Sequence, residues 1–245
     1  MPRPEPFVGT AGWTVPRTVR DRFPAGGSGL ERYAGALRAV EINSTFYRPH
    51  RPETFVRWRE STPPHFRFSV KLPRALTHEA RLQGCEAGLD AFLRELGGLE
   101  DKLGPLLVQL PPSLVFDAAV AGDFFGALRR RTAGPVVCEP RHASWFAGDG
   151  DALLARHRIA RAAADPARSP AARSPGGWPG LAYWRLHGSP RMYYSAYAEP
   201  ELAALARAIA ANPAGERWCI FDNTASGAAA ANGLALKDIL DRAPA

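Results

Sequence analysis

The feature that most constrains this chain is a repeated alternation of short apolar runs with segments of helical periodicity. Runs typical of buried strands occur at residues 7–12, 39–43, 66–71, 106–110, 136–139, 159–164, 182–187 and 217–222. Helical spacing occurs at residues 32–37, 53–60, 86–99, 118–130, 151–157, 201–211 and 226–240. Because each helix returns the chain to the same end of the sheet, this alternation predicts parallel strands.

Eight such units in 245 residues favour an α/β fold, namely a single (β/α)8 TIM-type barrel with parallel strands. We expect this barrel to form one domain over residues 1–245. The alternative is an open doubly wound sheet, which usually carries a GxGxxG motif after the first strand. Here that position reads GTAGW (9–13). Two long segments, 165–180 and 188–198, are interpreted as barrel loops of undefined role.

Composition excludes several classes of protein. Apolar residues make up 46% of the chain, too many for a disordered protein. Three scattered cysteines form neither a disulfide scaffold nor a zinc motif and favour a reducing compartment. No apolar leader or membrane-length apolar run is found, so we expect a cytoplasmic protein without membrane association. Oligomeric state is not predicted.

The net charge of +7 comes almost entirely from arginine, since only three residues are lysine. The sequence is also rich in alanine, glycine and proline. The excess of arginine is therefore interpreted as part of a general compositional bias and not as a binding surface. The charge permits an anionic partner, including nucleic acid, without identifying one.

Alternation along the strands places polar side chains on one face, towards the carboxyl ends where barrel enzymes build their sites. The set comprises Glu41, Asn43, Ser69, Lys71, Glu139, Arg141, Arg185 and His187. Gln109, Asp165, Asp222 and Asn223 follow other strands and join the same rim. The opposite, apolar face of each strand is expected to meet the helices.

Seven segments in order make the chain resemble the YecE-like family, also called domain of unknown function seventy-two. They are GTAGW (9–13), VEINSTFYRP (40–49), FRFSVKLPRALTH (66–78), LLVQLPPS (106–113), CEPRHASW (138–145), YWRLHG (183–188) and FDNTASGAAAANG (221–233). The resemblance implies a TIM-type barrel and no established activity. The last motif of the family more often has asparagine at the position of Asp222, which favours Asn223 as the site residue.

Lys71, Glu41 and Glu139 are the predicted catalytic residues, because a shiftable ammonium and paired carboxylates are suited to acid/base chemistry. Lys71 is alternatively an ion-pair partner of Glu41 on the neighbouring strand. A Schiff-base role is less favoured, because barrel aldolases generally carry their lysine on a later strand. Glycoside cleavage by the two glutamates is also less favoured, because they lie on strands two and five.

Arginines near the last strands, with the start of the final helix, predict an anion site. The predicted substrate-binding residues are Asn43, Gln109, Arg141, Arg185, His187, Tyr194 and Asn223, and Arg191 contributes to the same anion site. His187 and His142 are weighed as metal ligands, but no HxH or HExxH spacing supports this, and no metal or cofactor is predicted. The other histidines, including His78, are expected at the surface.

These features predict an enzyme that binds a small anionic molecule, phosphorylated or sugar-like, in a polar pocket at the strand ends. One alternative is a nucleic-acid-binding or metal-dependent nucleic-acid-processing protein, with salt-dependent binding. Another is a ligand sensor without catalysis.

Overall fold

The structure is a computed structural model that describes residues 4–242. It contains ten strands: β1 (Phe7–Ala11), β2 (Ala39–Ile42), β3 (Arg67–Lys71), β4 (Leu103–Gln109), β5 (Val136–Glu139), β6 (Ala160–Arg161), β7 (Ala163–Asp165), β8 (Gly176–Gly177), β9 (Leu181–Leu186) and β10 (Glu216–Phe221). Seven α-helices alternate with them: α1 (Gly29–Ala34), α2 (Pro52–Glu60), α3 (Glu86–Leu96), α4 (Ala118–Arg131), α5 (Gly150–Arg156), α6 (Glu199–Ala211) and α7 (Ala228–Arg242). The predicted elements are present, with ends that differ by a few residues.

The strands form one nearly closed barrel in the order β7-β9-β10-β1-β2-β3-β4-β5-β6-β8. Only Ala162 separates β6 from β7; β6 pairs with β5 and β7 pairs with β9, so together they bridge the two sides of the ring. The single predicted strand at 159–164 corresponds to this interrupted pair. Over residues 4–242, all strand pairs are parallel except β6 with β8. The predicted parallel α/β barrel is thereby confirmed, with the short β8 added.

The long segment that follows β7 is more ordered than its sequence suggests. It contains a 3-10 turn, Pro170–Arg173, and the two residues of β8. The guanidinium of Arg161 binds both oxygens of Asp151 and donates to the carbonyls of Ala171 and Ser174 at 3.1 and 3.2 Å. A buried arginine therefore anchors this loop against α5.

Helix ends follow local sequence signals. Ser28 caps α1 in a capping box with Glu31, and Asp117 accepts two backbone N–H groups at the start of α4. Pro52 occupies the first turn of α2, where its missing N–H costs no helical hydrogen bond. The Ser28 cap explains why α1 begins before the predicted helix at 32–37.

Two cores stabilise the barrel. The larger one lies between the strands and the helices and includes Val40, Val70, Cys138 and Leu186, as the alternation predicts. The smaller one fills the barrel interior towards the amino ends of the strands; it contains Ala39, Leu107, Val137, Ala160, Ala162, Leu181, Tyr183, Trp218 and Ile220. The carboxyl half of the interior is therefore left for other side chains.

Trp218 is the largest side chain of the interior core, and a glycine makes room for it. Its ring stacks on Phe7 with centroids 4.7 Å apart. A Cβ at Gly104 would lie 2.6 Å from two carbons of the indole, closer than van der Waals contact allows. Gly104 thus permits β4 to approach the indole. No helix in the described part of the chain has the length and apolar character needed to cross a membrane.

Candidate functional site

Six charged side chains interlock at the carboxyl ends of the strands, and we call them the strand-end cluster. They are Glu41, Glu139, Arg141, Arg185, His187 and Asp222. Parallel register sets their spacing: Glu41 lies opposite Ser69, Gln109 opposite Glu139, and Arg185 opposite Ile220. The cluster lies inside the barrel because these residues share the inward parity of their strands.

Arg185 is the centre of this cluster. Its guanidinium is 1% exposed and binds both oxygens of Glu41, with Nε–Oε2 and Nη2–Oε1 distances of 2.9 and 2.7 Å. Nη1 lies 3.2 Å from Glu139, and Nη2 lies 3.0 Å from Asp222. Desolvation of a guanidinium is costly, and three carboxylates compensate for it here.

His187 and Arg141 extend the network towards the rim. The His187 Nδ1 lies 3.0 Å from Asp222, and its Nε2 lies 3.1 Å from Glu139 and 2.9 Å from Nη2 of Arg141. Arg141 also donates from Nε to Glu139 at 2.5 Å. The imidazole therefore joins Asp222, Glu139 and Arg141 in one network of polar contacts.

The carboxylates of the cluster are held ionised by their neighbours. Burial opposes ionisation of Glu139, but Arg141, His187 and Arg185 hold its pKa well below the usual range. The pKa of Asp222 is also lowered, because Arg185 and His187 outweigh its burial. Three carboxylates thus face two guanidiniums and the nearby Lys71 ammonium at this end of the barrel.

Lys71 lies at the end of β3, beside the strand-end cluster and outside its hydrogen-bond network. Its side chain is buried, and Nζ lies 3.9 Å from the centroid of the Phe46 ring. Among the described residues, none forms a hydrogen bond or an ion pair within 4.0 Å of this ammonium. The alternative of an ion pair with Glu41 is wrong, since Arg185 and Tyr183 occupy both oxygens of Glu41.

Burial, followed by the positive charge of Arg185, lowers the pKa of Lys71 to about 8. The carboxylates of Glu41, Glu139 and Asp222 oppose this shift without reversing it. A lysine in this state exchanges protons near neutral pH, which an exposed lysine does not.

The other predicted site residues lie at different depths. Asn43 and Gln109 are half-buried at the ends of β2 and β4, and the Asn43 Oδ1 is buried with no partner in the described part of the chain. Tyr194 is 46% exposed on the loop after β9, where the Arg191 guanidinium lies 4.0 Å from its ring centroid. Arg191 therefore lies on the outer loop, away from the deeper cations Arg141 and Arg185.

Asn223 is fully buried and acts as a link between the loop and the final helix. Its amide nitrogen donates to the Ser195 carbonyl and to Oδ1 of Asn232, both at 2.9 Å. Asn232 in turn binds the backbone of Tyr197 through both ends of its amide. Asp222, and not Asn223, reaches the charged cluster.

Sequence reasoning missed three residues of this region. The Tyr183 hydroxyl donates to Glu41 at 3.1 Å and lies 3.0 Å from Ser69, and the inward parity of Arg185 applies equally to Tyr183. Phe46 and His78 lie in the segments after β2 and β3, where no periodicity indicates direction.

The histidines expected at the surface are exposed to different degrees: His65 is exposed, whereas His50, His78 and His157 are partly buried. His78 is half-buried and packs edge-on against Phe46, with ring centroids 4.9 Å apart. Burial, followed by the charges of Lys71, Arg74 and Arg141, lowers its pKa to about 4. His78 is therefore neutral at physiological pH, and the positive charges of Lys71 and Arg141 favour that state.

Metal ligation has little support in the arrangement of side chains. In residues 4–242 no group of three or more His, Cys, Asp or Glu side chains is placed to hold a metal ion. His142 is occupied locally, with its Nδ1 2.8 Å from the Ser144 hydroxyl at the start of a 3-10 turn.

Comparisons with known proteins place this architecture among its relatives. The UPF0759 protein YecE of Escherichia coli K12 is 36% identical over 105 residues, which cover 43% of this chain and 37% of that protein. The matched region thus spans well under half of this curated relative.

Two solved structures match nearly the whole chain. A DUF72 family protein of Enterococcus faecalis has a TM-score of 0.81 at 21% identity, covering 98% of this chain and 97% of the other. A DUF72 family protein of Thermotoga maritima has a TM-score of 0.77 at 26% identity, covering 96% and 99%. The family model described as protein of unknown function DUF72 matches residues 7–245. The barrel, the ordered motifs and this match together establish that the chain belongs to the DUF72 family.

Proposed function

We propose that this protein is an enzyme that binds a small anionic substrate, phosphorylated or sugar-like, in a polar pocket at the carboxyl ends of the strands. The observation that carries the proposal is the Lys71 ammonium, which is buried beside Phe46 without a hydrogen bond or ion pair among the described residues. A buried charge without a partner is costly, and such groups concentrate at functional sites.

Arg141 is the second cation that supports anion binding. It is 9% exposed, and its Nη1 has only the Met192 sulfur, at 4.0 Å, as a partner among the described residues. Its Nε and Nη2 are fixed by Glu139 and His187, which pre-organises the guanidinium. In this proposal Lys71 exchanges a proton with the substrate, and Arg141 binds its anionic group.

The burial of the remaining cluster suggests supporting roles for its members. Glu41 is fully buried and saturated by Arg185 and Tyr183, so we assign it the positioning of Arg185. Glu139 and His187 position Arg141 in the same way. Asn43, Gln109 and Tyr194 are placed to contact the neutral parts of a substrate.

The proposal is tested by ligand-dependent thermal stabilisation of the full chain. The probes are inorganic phosphate, a panel of sugar phosphates and the corresponding free sugars. We expect stabilisation by at least one phosphorylated compound, with its apparent affinity at least tenfold weaker in Lys71→Ala and Arg141→Ala. Lys237→Ala is the matched control, because Lys237 is exposed and, within residues 4–242, forms its ion pair with Asp241 one helical turn away.

Equal stabilisation of all variants by the same anions would contradict the proposal. Stabilisation by single-stranded oligonucleotides alone, falling steeply with salt, would favour the nucleic-acid alternative. Lys71-dependent binding in which no compound of the panel is consumed would favour a sensor over an enzyme.

A further inference from the structure

The three lysines of this chain lie in three different environments. Lys102 is buried like Lys71, but its ammonium donates to the carbonyls of Arg59 and Thr62 at 2.6 and 2.5 Å and to the Thr62 hydroxyl at 3.1 Å. Lys237 is exposed and paired with Asp241. In the described part of the chain, the Lys71 ammonium lies on an aromatic face and has no oxygen acceptor, unlike the other two lysines.

A lysine amine acts as a nucleophile only through its neutral form and free lone pair. At Lys102 burial also lowers the pKa, but three acceptors bind the N–H groups of the protonated form and hold them in place. At Lys71 burial and Arg185 lower the pKa to about 8, so about a tenth of the side chain is neutral at pH 7. The absence of oxygen acceptors leaves that amine free to approach an electrophile.

The surroundings of Lys71 also indicate which electrophile fits. Lys71 ends β3, and Glu139, which holds the Arg141 guanidinium, ends β5, so only β4 lies between them at this end of the barrel. The Phe46 ring, with His78 packed against it, forms an apolar wall beside the amine. A small molecule with its anionic group on Arg141 can therefore extend past the end of β4 towards Lys71.

We propose that Lys71 forms an imine with a small anionic carbonyl compound, whose carboxylate or phosphate group binds Arg141. This inference rests on the proposed function and names the substrate class and the covalent step. A molecule with both groups engages the two cations that the strand-end cluster leaves available at the rim. Phosphorylated aldehydes and 2-oxo acids share this chemistry.

The covalent step conserves atoms and electrons. The lone pair of the neutral Lys71 nitrogen attacks the carbonyl carbon, the C–N bond forms, and the π electrons of the C=O bond move to oxygen. The two protons of the amine end on that oxygen, which leaves as water when the C=N bond forms. No oxidant, reductant or metal takes part.

Reductive trapping tests this directly. The full chain is incubated at pH 7 with sodium cyanoborohydride and, separately, with glyoxylate, pyruvate, glycolaldehyde phosphate or uncharged glycolaldehyde, and the modified lysines are mapped by peptide mass spectrometry. With at least one anionic probe, we expect Lys71 to be modified at least tenfold faster than Lys237, although Lys237 is more exposed. Lys102 serves as the buried control and is expected to stay unmodified.

Two variants separate the contributions. Lys71→Arg keeps the positive charge and abolishes trapping at this position, because a guanidinium does not form the imine. Arg141→Ala is expected to slow the reaction of glycolaldehyde phosphate at least fivefold and to leave that of glycolaldehyde within twofold. Circular dichroism and urea denaturation establish that both variants are folded.

The outcomes distinguish the two proposals. Equal labelling of Lys71 and Lys237 overturns the imine. The imine is also overturned if Lys71 is not labelled while phosphorylated compounds still stabilise the protein in a Lys71-dependent way, and the proposed function then stands. No labelling together with no Lys71-dependent stabilisation overturns both. Selective labelling of Lys71 that depends on Arg141 supports both.

Discussion

The two halves of the barrel interior are filled by opposite chemistry. Towards the amino ends of the strands lie stacked aromatic and aliphatic side chains, with Trp218 at their centre. Towards the carboxyl ends lie three carboxylates, two guanidiniums, an imidazole and a lysine. The apolar half stabilises the barrel by burial and packing, whereas the ionic half must be desolvated and then compensated contact by contact.

This difference indicates how the ionic half can be both rigid and reactive. Arg185 uses its donors on three carboxylates and is locked in place. Lys71, a few ångströms from the same strand ends, is left without oxygen partners among the described residues. Arg185 and its three carboxylates therefore form a fixed ionic frame, and the Lys71 ammonium is the group that remains available for chemistry.

The largest expected effect is the loss of the aromatic centre of the apolar half. Trp218→Ala removes a fully buried indole above Gly104 and is expected to lower the free energy of unfolding by about 4 kcal/mol. Urea denaturation at pH 7 measures it, with Tyr47→Ala as the control, because Tyr47 is 76% exposed and its loss is expected to cost less than about 0.5 kcal/mol. A loss below about 1 kcal/mol in Trp218→Ala would mean that this core does not stabilise the barrel.

The next effect concerns the frame of the ionic half. Glu41→Gln preserves shape but leaves the buried Arg185 without its bidentate partner, so we expect a loss of about 3 kcal/mol. Glu60→Gln is the matched control, because the Glu60 side chain is 65% exposed and its ion pair with Arg59 is peripheral. If the two substitutions cost the same in urea denaturation, the interior frame makes no contribution of its own.

The smallest effect has opposite signs at the two buried lysines. Because the folded pKa of Lys71, about 8, lies below the ordinary value of 10.5, its charged form destabilises the fold below pH 8, and this cost disappears as the pH rises to 10.5. Lys71→Met is therefore expected to stabilise the protein by about 1–3 kcal/mol at pH 7 and by about 0 near pH 10.5.

Lys102→Met serves as the comparison and is expected to destabilise the protein by about 2 kcal/mol at pH 7, because three buried acceptors lose their donor. Urea denaturation from pH 6 to about pH 10.5 measures both variants. If Lys71→Met destabilises the protein at pH 7, the Lys71 ammonium stabilises the fold as the Lys102 ammonium does. The expected difference in sign between the two lysines would then be wrong.

Much of the barrel is predictable because strand alternation is a local property. The strand at 136–139 agrees with β5 at both ends, and the inward parity of Glu41, Glu139, Arg185 and His187 follows from counting residues along each strand. The short β8 was not predictable, since two glycines carry no side-chain pattern and pair only because β6 lies beside them. Nor did periodicity reveal His78, because it lies in a single π-helical turn, Ala75–Glu79, that is too short for a periodic pattern to show which way its side chains point.

The sequence by itself determined the class of fold, the family and the set of residues that face inward, because each depends on order and spacing along the chain. Only the tertiary structure decided which of those residues satisfy one another. Arg185 takes the Glu41 oxygens that Lys71 was expected to share, and this outcome depends on distances across the barrel between residues up to 144 positions apart. Which charged groups pair is decided by their positions in the folded barrel. Those positions leave Lys71 without an ion pair among the described residues, and the proposed chemistry depends on this lysine.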